Sequence, residues 1–592
     1  MMKKLAGLLF LLLITGITTA QNKTVCQDWR ISGVTRVFLP FFADQPSVDG
    51  KKFDTAALLE NVLTDDADLK SWPVVTILDD SLLTSVNSEN QMVRMAGFIS
   101  SDRWTKASVN ISTNAIFVLS INGKKVKSQG KISDQSVKID LTLGTGIHEL
   151  SLKLISMEKT LRFAADVSAA NDSAVLSWST NPARTLTIND VLEGVSISGA
   201  RLSSSGKYLL IQTNEVLPGS GKTQSSFRVY DMELKRNLLA LRSNALRADW
   251  MPKSDRFCYQ VNRDETSDVI IYDMKSGTES VAASGLKSAG RIVWSPAEDY
   301  FIYSRSEEAE KTGDLKRVFD NDDRIPGTRN RSYLCMYNPA TKVSQPLTAG
   351  SRSAMLHAIS PDGRRVLFSV SRQDYSEVPF SKQTLYELEI STMRLDTIWS
   401  DKLHGGSCQY SPDGTQLLVS GGPETFGSLG VTVSEGRIPN SYDTQLFLFD
   451  LKTRKAEPLT RDFDPAAEMT HWASDGKIYL TATERDYVNL YRLDLKRRSF
   501  TKIDVPAEVI TSVDYAKNSN VAVFRGTSIG TPDRLYTIDL ATGKSTLLCD
   551  PAAGRLDDVL AGRTEEWNFK NSRGTTIYGR VYYPVNYDPS KM

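Results

Sequence analysis

Two short stretches carry residue types that do chemistry. Gly219 to Thr223 reads GSGKT, the end of a phosphate-binding loop. The full pattern needs a glycine five residues before Gly221, where Val216 stands, and it must open a helix. Phe227 to Met232 follows as a strand-like run, so the stretch reads as a loop between strands. Gly526 to Gly530 reads GTSIG and matches the GxSxG elbow that exposes a serine nucleophile. That elbow needs a strand, a sharp turn and a helix, with an acid and then a histidine downstream. Here TPDRLYTIDL follows, a strand pattern, and no histidine comes after His471. Ser528 therefore reads as a loop serine. The four histidines (His148, His357, His404, His471) lack HExxH spacing, and none of the five cysteines (Cys26, Cys258, Cys335, Cys408, Cys549) has a CxxC neighbour. No metal and no cofactor is expected. Cys258, Cys335 and Cys408 sit in strand-like runs and read as small buried hydrophobes.

The elements around these stretches repeat. One pattern recurs seven times: FRVYDM (227–232), VIIYDM (269–274), YLCMYN (333–338), LYELEI (385–390), LFLFDL (446–451), LYRLDL (490–495) and LYTIDL (535–540). Each copy follows a strand, a tight turn and a second strand, clearest in HAISPDGRRVLFSV and CQYSPDGTQLLVSG. Pro-Asp-Gly is turn chemistry, because proline presets φ and glycine accepts positive φ. An aromatic residue often precedes the turn (Trp250, Trp294, Tyr410, Trp472, Tyr515), a place suited to packing between adjacent sheets. The unit is thus four strands, which cannot bury both faces alone, whereas seven arranged radially can. The expectation is a seven-bladed β-propeller over 191–552. The long insertions all fall between the second and third strands of a unit, which puts them at one end of the disc, where binding loops belong.

The remainder divides differently. Balanced charge, 71 basic against 70 acidic residues, argues against a broad nucleic-acid footprint. Lys3 and Lys4, an apolar run from Leu5 to Ile17 and the small residues before Gln21 predict a signal peptide over 1–20, cleaved near Ala20. That implies a periplasmic or secreted protein with no membrane span in the mature chain. Residues 25–167 show alternating strands and an Asn122-Gly123 hairpin signal, and read as a β-sandwich, jelly-roll-like, serving as a glycan binder or a spacer. Residues 168–190 read as a polar linker. The fold class expected is all-β: sandwich, then propeller, then a further strand pair over 565–592.

The repeated SPDG…LY-DL-TGK units and the closing GTTIYGRVYYPVNYDPSKM resemble the prolyl oligopeptidase family of serine peptidases, in its secreted bacterial type. The likeness runs from Leu192 to Met592, and 565–592 is similar to the first strands of that family's α/β-hydrolase domain. The resemblance implies that the propeller gates access for short peptide substrates. It also implies that the catalytic serine, aspartate and histidine belong to a hydrolase domain needing roughly 200 residues beyond Met592. On this reading the chain is the substrate-gating portion of a secreted exopeptidase or oligopeptidase and is inactive alone. Its partners are peptides and its own missing hydrolase domain, with no nucleic acid. In the dipeptidyl-peptidase branch a pair of propeller glutamates holds the substrate's amino group, and Glu307 and Glu308 are the matching pair here. Two carboxylates suit an ammonium ion; a solvated acidic loop is the other reading, given Lys316, Arg317, Asp320, Asp322, Asp323 and Arg324 nearby. The alternative function is a non-catalytic periplasmic propeller that binds a protein or glycan.

Overall fold

The computed structural model describes residues 23–592 apart from 63–68, 78–81, 86–90, 134, 159, 171–173, 182, 218–219, 243–246, 310–327, 586, 588 and 592. The expected signal peptide, Gly219 and the charged run from Lys316 to Arg324 lie outside the described residues. Those described are nearly all β, with helix confined to short pieces such as Leu58–Asn61 and Ile188–Leu192. The chain divides into two compact units, Met1–Val191 with Arg555–Met592, and Leu192–Gly554.

The first unit holds two antiparallel sheets around one core. The smaller runs Lys23–Val25, Thr160–Ala169, Thr105–Thr113, Val137–Leu143, with Leu82–Ser85 also on Thr160–Ala169. The larger runs Val74–Thr76, Asp28–Ile31, Gln91–Ser101, Gly146–Ser156, Ile116–Ile121, Lys124–Gln129. Alternation decides which side chains enter: in Val137–Leu143, Ile139, Leu141 and Leu143 are buried while Lys138, Asp140 and Thr142 face water. The core joins Trp29, Met95 and Leu152 of one sheet to Val109, Leu141 and Phe163 of the other. Asn122 (φ 49°) and Gly123 (φ 74°) close the hairpin between Ile116–Ile121 and Lys124–Gln129, as a primed turn requires.

The segment read as a linker is largely built into this unit. Leu176–Ser179 pairs with Gln91–Ser101, and the Trp178 ring lies so close to Gly97 that a Cβ there would sit 2.0 Å from it. Arg184–Thr185 pairs in parallel with Val559–Leu560, where the chain returns from the second unit. Asp190 ties these two segments of the first unit together. It accepts from Arg184 at 2.5 and 2.7 Å, and its backbone oxygen accepts from Arg555 at 2.7 Å. The Arg184 guanidinium holds the Asp190 carboxyl well below the usual carboxylate range. Beyond it, Thr564–Lys570 and Thr576–Tyr582 form a hairpin of their own, its side chains mostly at the surface.

The second unit is a succession of four-stranded antiparallel meanders. Five stand as separate sheets; the last two, Ala466–Ile503 and Val509–Cys549, join through one parallel bridge at Val488 and Val509. Gly363 and Gly414, both at φ 71°, make the Pro-Asp-Gly turns. Each sheet shares a core with the next. Phe227 and Leu210 meet Phe257; Ile271 and Met251 meet Phe301; Ile302 and Leu334 meet Phe368; Leu385 and Trp399 meet Phe447. Leu418 and Leu446 meet Leu480, and Tyr479 and Leu490 meet Phe524. A further core joins Ile197, Leu209 and Ile211 of the first sheet to Val523 and Leu535 of the last.

Three of the aromatic residues before the turns bond across these seams. Trp250 donates to the Arg201 carbonyl (2.8 Å), Trp294 to the Cys258 sulfur (3.2 Å) and Tyr410 to Glu387 (2.7 Å), each on the preceding sheet. Buried Tyr and Trp need a partner for the polar atom, and at these three positions the neighbouring sheet supplies it; the Trp472 indole N–H, by contrast, is buried without one among the described residues. Cys258, Cys335 and Cys408 are buried free thiols, and burial pushes Cys258 up to about 12, so they behave as hydrophobes.

Candidate functional site

The insertions between second and third strands share an end of the second unit with the connections between sheets. At that end, between the third sheet (Ala289–Trp294, Phe301–Glu307, Arg331–Asn338, Val343–Pro346) and the fourth (Ala354–Ile359, Arg365–Gln373, Ser381–Glu389, Arg394–Lys402), lies a cavity of about 1030 Å³. The seam core of Ile302, Leu334, Val366 and Phe368 forms below it, because these strands alternate apolar residues toward each other. The cavity is large enough for a short peptide. Among the described residues its lining holds five arginines and six serines, and no carboxylate.

The first strands of both sheets bulge where they reach it, between Ala289 and Ile292 and between Leu356 and Ala358. A bulge re-aims a side chain, and His357 is the extra residue of the second one. Its Nδ1 accepts from the Cys408 backbone N–H at 3.2 Å, and its Nε2 lies 2.8 Å from the Ser369 hydroxyl oxygen. Burial pushes the imidazole down to about 4, so it is neutral at pH 7 with the proton on Nε2. His357 therefore donates to Ser369 and cannot act as its base. The pair is a positioned donor at the cavity wall, not a nucleophile.

Glu307 ends the strand Phe301–Glu307, opposite Arg331, and its carboxylate lies 3.9 Å from Arg305. Its side chain is 61% exposed, and Glu308 follows it, also exposed. Both glutamates sit at the cavity's end of the third sheet, and neither lines the cavity. Sequence reasoning missed the cavity residues. The only signal was the density of Arg and Ser in Arg329–Ser332 and Ser351–Ser353, which also reads as ordinary loop.

Ser528 ends a strand, Val521–Ser528, and pairs with Thr531 of the next strand. Its hydroxyl accepts from the Glu508 N–H at 3.1 Å, and the small hollow of about 330 Å³ that it borders has no histidine among its described lining residues. Strand–turn–strand geometry leaves it without the helix or base of a nucleophile elbow. Treatment of the chain with a fluorophosphonate should leave Ser528 unmodified; labelling that Ser528→Ala abolishes would overturn this reading.

A second set of charges lies on the inner strands of the first, second and last sheets. Asp514 accepts from the Leu202 N–H at 2.7 Å and from Arg201 at 3.4 Å, tying the last sheet to the first. Burial, helped by the charge of Asp249, pushes its carboxyl up to about 6. Burial also raises Asp249 and lowers Lys517. Among the described residues no group of three His, Cys, Asp or Glu side chains could hold a metal ion, and no helix is long and apolar enough to cross a membrane.

No protein-family model matches the sequence, and no curated protein matches it. Solved structures do. The acylaminoacyl peptidase of Pyrococcus horikoshii, in its orthorhombic crystal form, is 14% identical over 67% of this chain and 58% of that one, with a TM-score of 0.51. An acylaminoacyl peptidase in complex with Z-Gly-Gly-Phe-chloromethyl ketone is 14% identical over 65% and 57%, with a TM-score of 0.50. The β-propeller domain of the Trilobed protease from Pyrococcus furiosus is 13% identical over 61% of this chain and 98% of that domain, at 0.43. The chain spans less than three fifths of the length of the two acylaminoacyl peptidases, and at these identities the likeness is one of fold.

Proposed function

We propose that this chain is the substrate-gating front portion of a secreted serine exopeptidase or oligopeptidase of the prolyl oligopeptidase type, acting on short peptides. In this reading 191–552 is a seven-bladed β-propeller, 25–167 an accessory β-sandwich, and 565–592 the start of an α/β-hydrolase domain that carries the catalytic residues. The observation that carries it is the order of parts. A set of four-stranded sheets whose last member packs on its first is followed by a hairpin with Trp567, Phe569, Tyr578 and Tyr582 at the surface. A lone two-stranded hairpin is marginal in water, and an apolar one asks for a further sheet to join. A propeller that only docks a partner has no use for it.

In the same reading Glu307 and Glu308 hold the free amino end of the peptide. Calorimetric titration of the 592-residue chain with a free-amine tripeptide and its N-acetylated form tests this. Joint replacement Glu307→Gln and Glu308→Gln should weaken the free amine by about tenfold or more, the worth of a charge-assisted hydrogen bond. The N-acetylated form should change little. Equal loss of both would mark a folding defect, and no binding of any peptide would reject the reading.

A further inference from the structure

We infer that the cavity between the third and fourth sheets of the second unit binds the free carboxylate end of a short peptide. The inference rests on the proposed function and adds to it a second anchor, of opposite charge, for the same substrate.

Charge is the first argument. A cavity lined, among the described residues, by five guanidinium groups and no carboxylate favours an anion unless protein acids nearby compensate it. Arg372 is compensated, by Asp401 at 2.7 Å and Asp374 at 3.0 Å. Arg331 is not: its Nε and Nη1 donate to the backbone oxygens of Ser351, Thr328 and Asn330. Carbonyl dipoles fix the guanidinium in place but leave its unit charge. Arg291 and Arg352 are exposed side chains of the lining, with no carboxylate of the described residues within ion-pair distance. Three cations thus share one cavity with no ion-paired carboxylate among the described residues, although Asp249 feels the charge of Arg291 at longer range, and mutual repulsion disfavours the arrangement until an anion enters.

Geometry is the second argument. Arg331 is held by its bonds to the chain, so little side-chain freedom is lost when its remaining N–H groups meet a planar carboxylate. Ser369 adds a buried hydroxyl. Because His357 donates to its oxygen, the Ser369 proton is free to point at an acceptor. Guanidinium groups and a hydroxyl donor are the chemistry that reads a carboxylate. The polar lining and volume fit two or three peptide units better than an apolar ligand. Glu307 and Glu308 stand outside the lining at the same end of the sheet, so a short zwitterionic peptide would meet acid at one end and arginine at the other.

The test titrates the 592-residue chain with an N-acetylated tripeptide, once as the free acid and once as the C-terminal amide, with sodium sulfate as a separate probe. The free acid should bind at least about tenfold more tightly than the amide. Arg352→Gln and Arg291→Gln should each erase most of that preference without changing the amide's affinity. Neither side chain holds a described hydrogen bond, so loss of fold is not the cause, and an unchanged thermal transition checks this. Equal affinity for acid and amide, or a preference untouched by both variants, would overturn the inference while leaving the proposed function standing if free-amine peptides still bind through Glu307 and Glu308. Sulfate binding that depends on Arg291 and Arg352, with no peptide bound in any form, would mean a site for small inorganic anions only and would reject both readings.

Discussion

Replacing Phe447 by alanine is expected to destabilise the second unit by about 3–5 kcal/mol, the cost of deleting a buried ring and leaving its cavity. Phe447 is fully buried in the core shared by the fourth and fifth sheets, 5.1 Å from the Phe426 ring. Its neighbours come from two sheets, so neither can collapse into the hole without moving the seam. The same seam carries an ion pair at its surface, Arg454 with Asp396, whose side chains are 37% and 52% exposed. Exposed pairs contribute about 0–1 kcal/mol, so Arg454→Ala should be nearly silent. The packed ring, not the visible salt bridge, joins the sheets. Urea unfolding followed at the second unit's transition measures both. A loss below about 1 kcal/mol for Phe447→Ala, or a larger one for Arg454→Ala, would contradict that ranking.

The second large effect is in pH. Asp514, at about 6 in the fold, binds its proton more tightly there than in the unfolded chain, where an aspartate titrates near 3.8. A raised carboxyl favours the folded state while protonated. That advantage is present below about 4 and is lost as pH climbs through 6. The charge faces Arg201 beside it, Asp249 on the second sheet, and Lys517 after its own strand. Asp514→Asn keeps an oxygen for the Leu202 N–H and removes the charge. At pH 7 the variant should be more stable than the parent by on the order of 2 kcal/mol, and the difference should vanish by about pH 4. His357 and His471, pushed down to about 4 by burial, act in the opposite direction: their stabilisation is present above about 6.5 and falls away toward 4. The parent's own pH profile therefore mixes opposing slopes, and only the difference between parent and variant isolates Asp514. A difference that is constant from pH 4 to 7 would show that the carboxyl titrates normally.

Much of the second unit was legible because its signals are local. Tight turns, alternation and, in five of the seven units, an aromatic residue before the turn lie within about fifteen residues of one another, and they specify a meander without reference to anything distant. The aromatic positions even carried the seam, since Trp250, Trp294 and Tyr410 each reach back to the preceding sheet. What was not legible depends on distant residues. Leu176–Ser179 sits in a polar run and reads as linker, yet Gly97 leaves the space its Trp178 fills. The clasp between Asp190 and Arg555 joins residues 365 apart, and no local pattern announces it. The cavity failed for the same reason: Arg291, Arg331 and Arg352 converge from three segments, and each alone looks like a solvated side chain.

The central claim is that the second unit takes short peptides at the end where the long insertions lie. Amide hydrogen exchange of the 592-residue chain, with and without a saturating unblocked tripeptide, tests it most directly. The account predicts slowed exchange in Ser304–Glu307, Arg329–Leu334 and Ser351–His357, with the turns around Gly206, Gly363 and Gly414 unchanged. Protection confined to those turns or to the first unit, or none at saturating peptide, would contradict it.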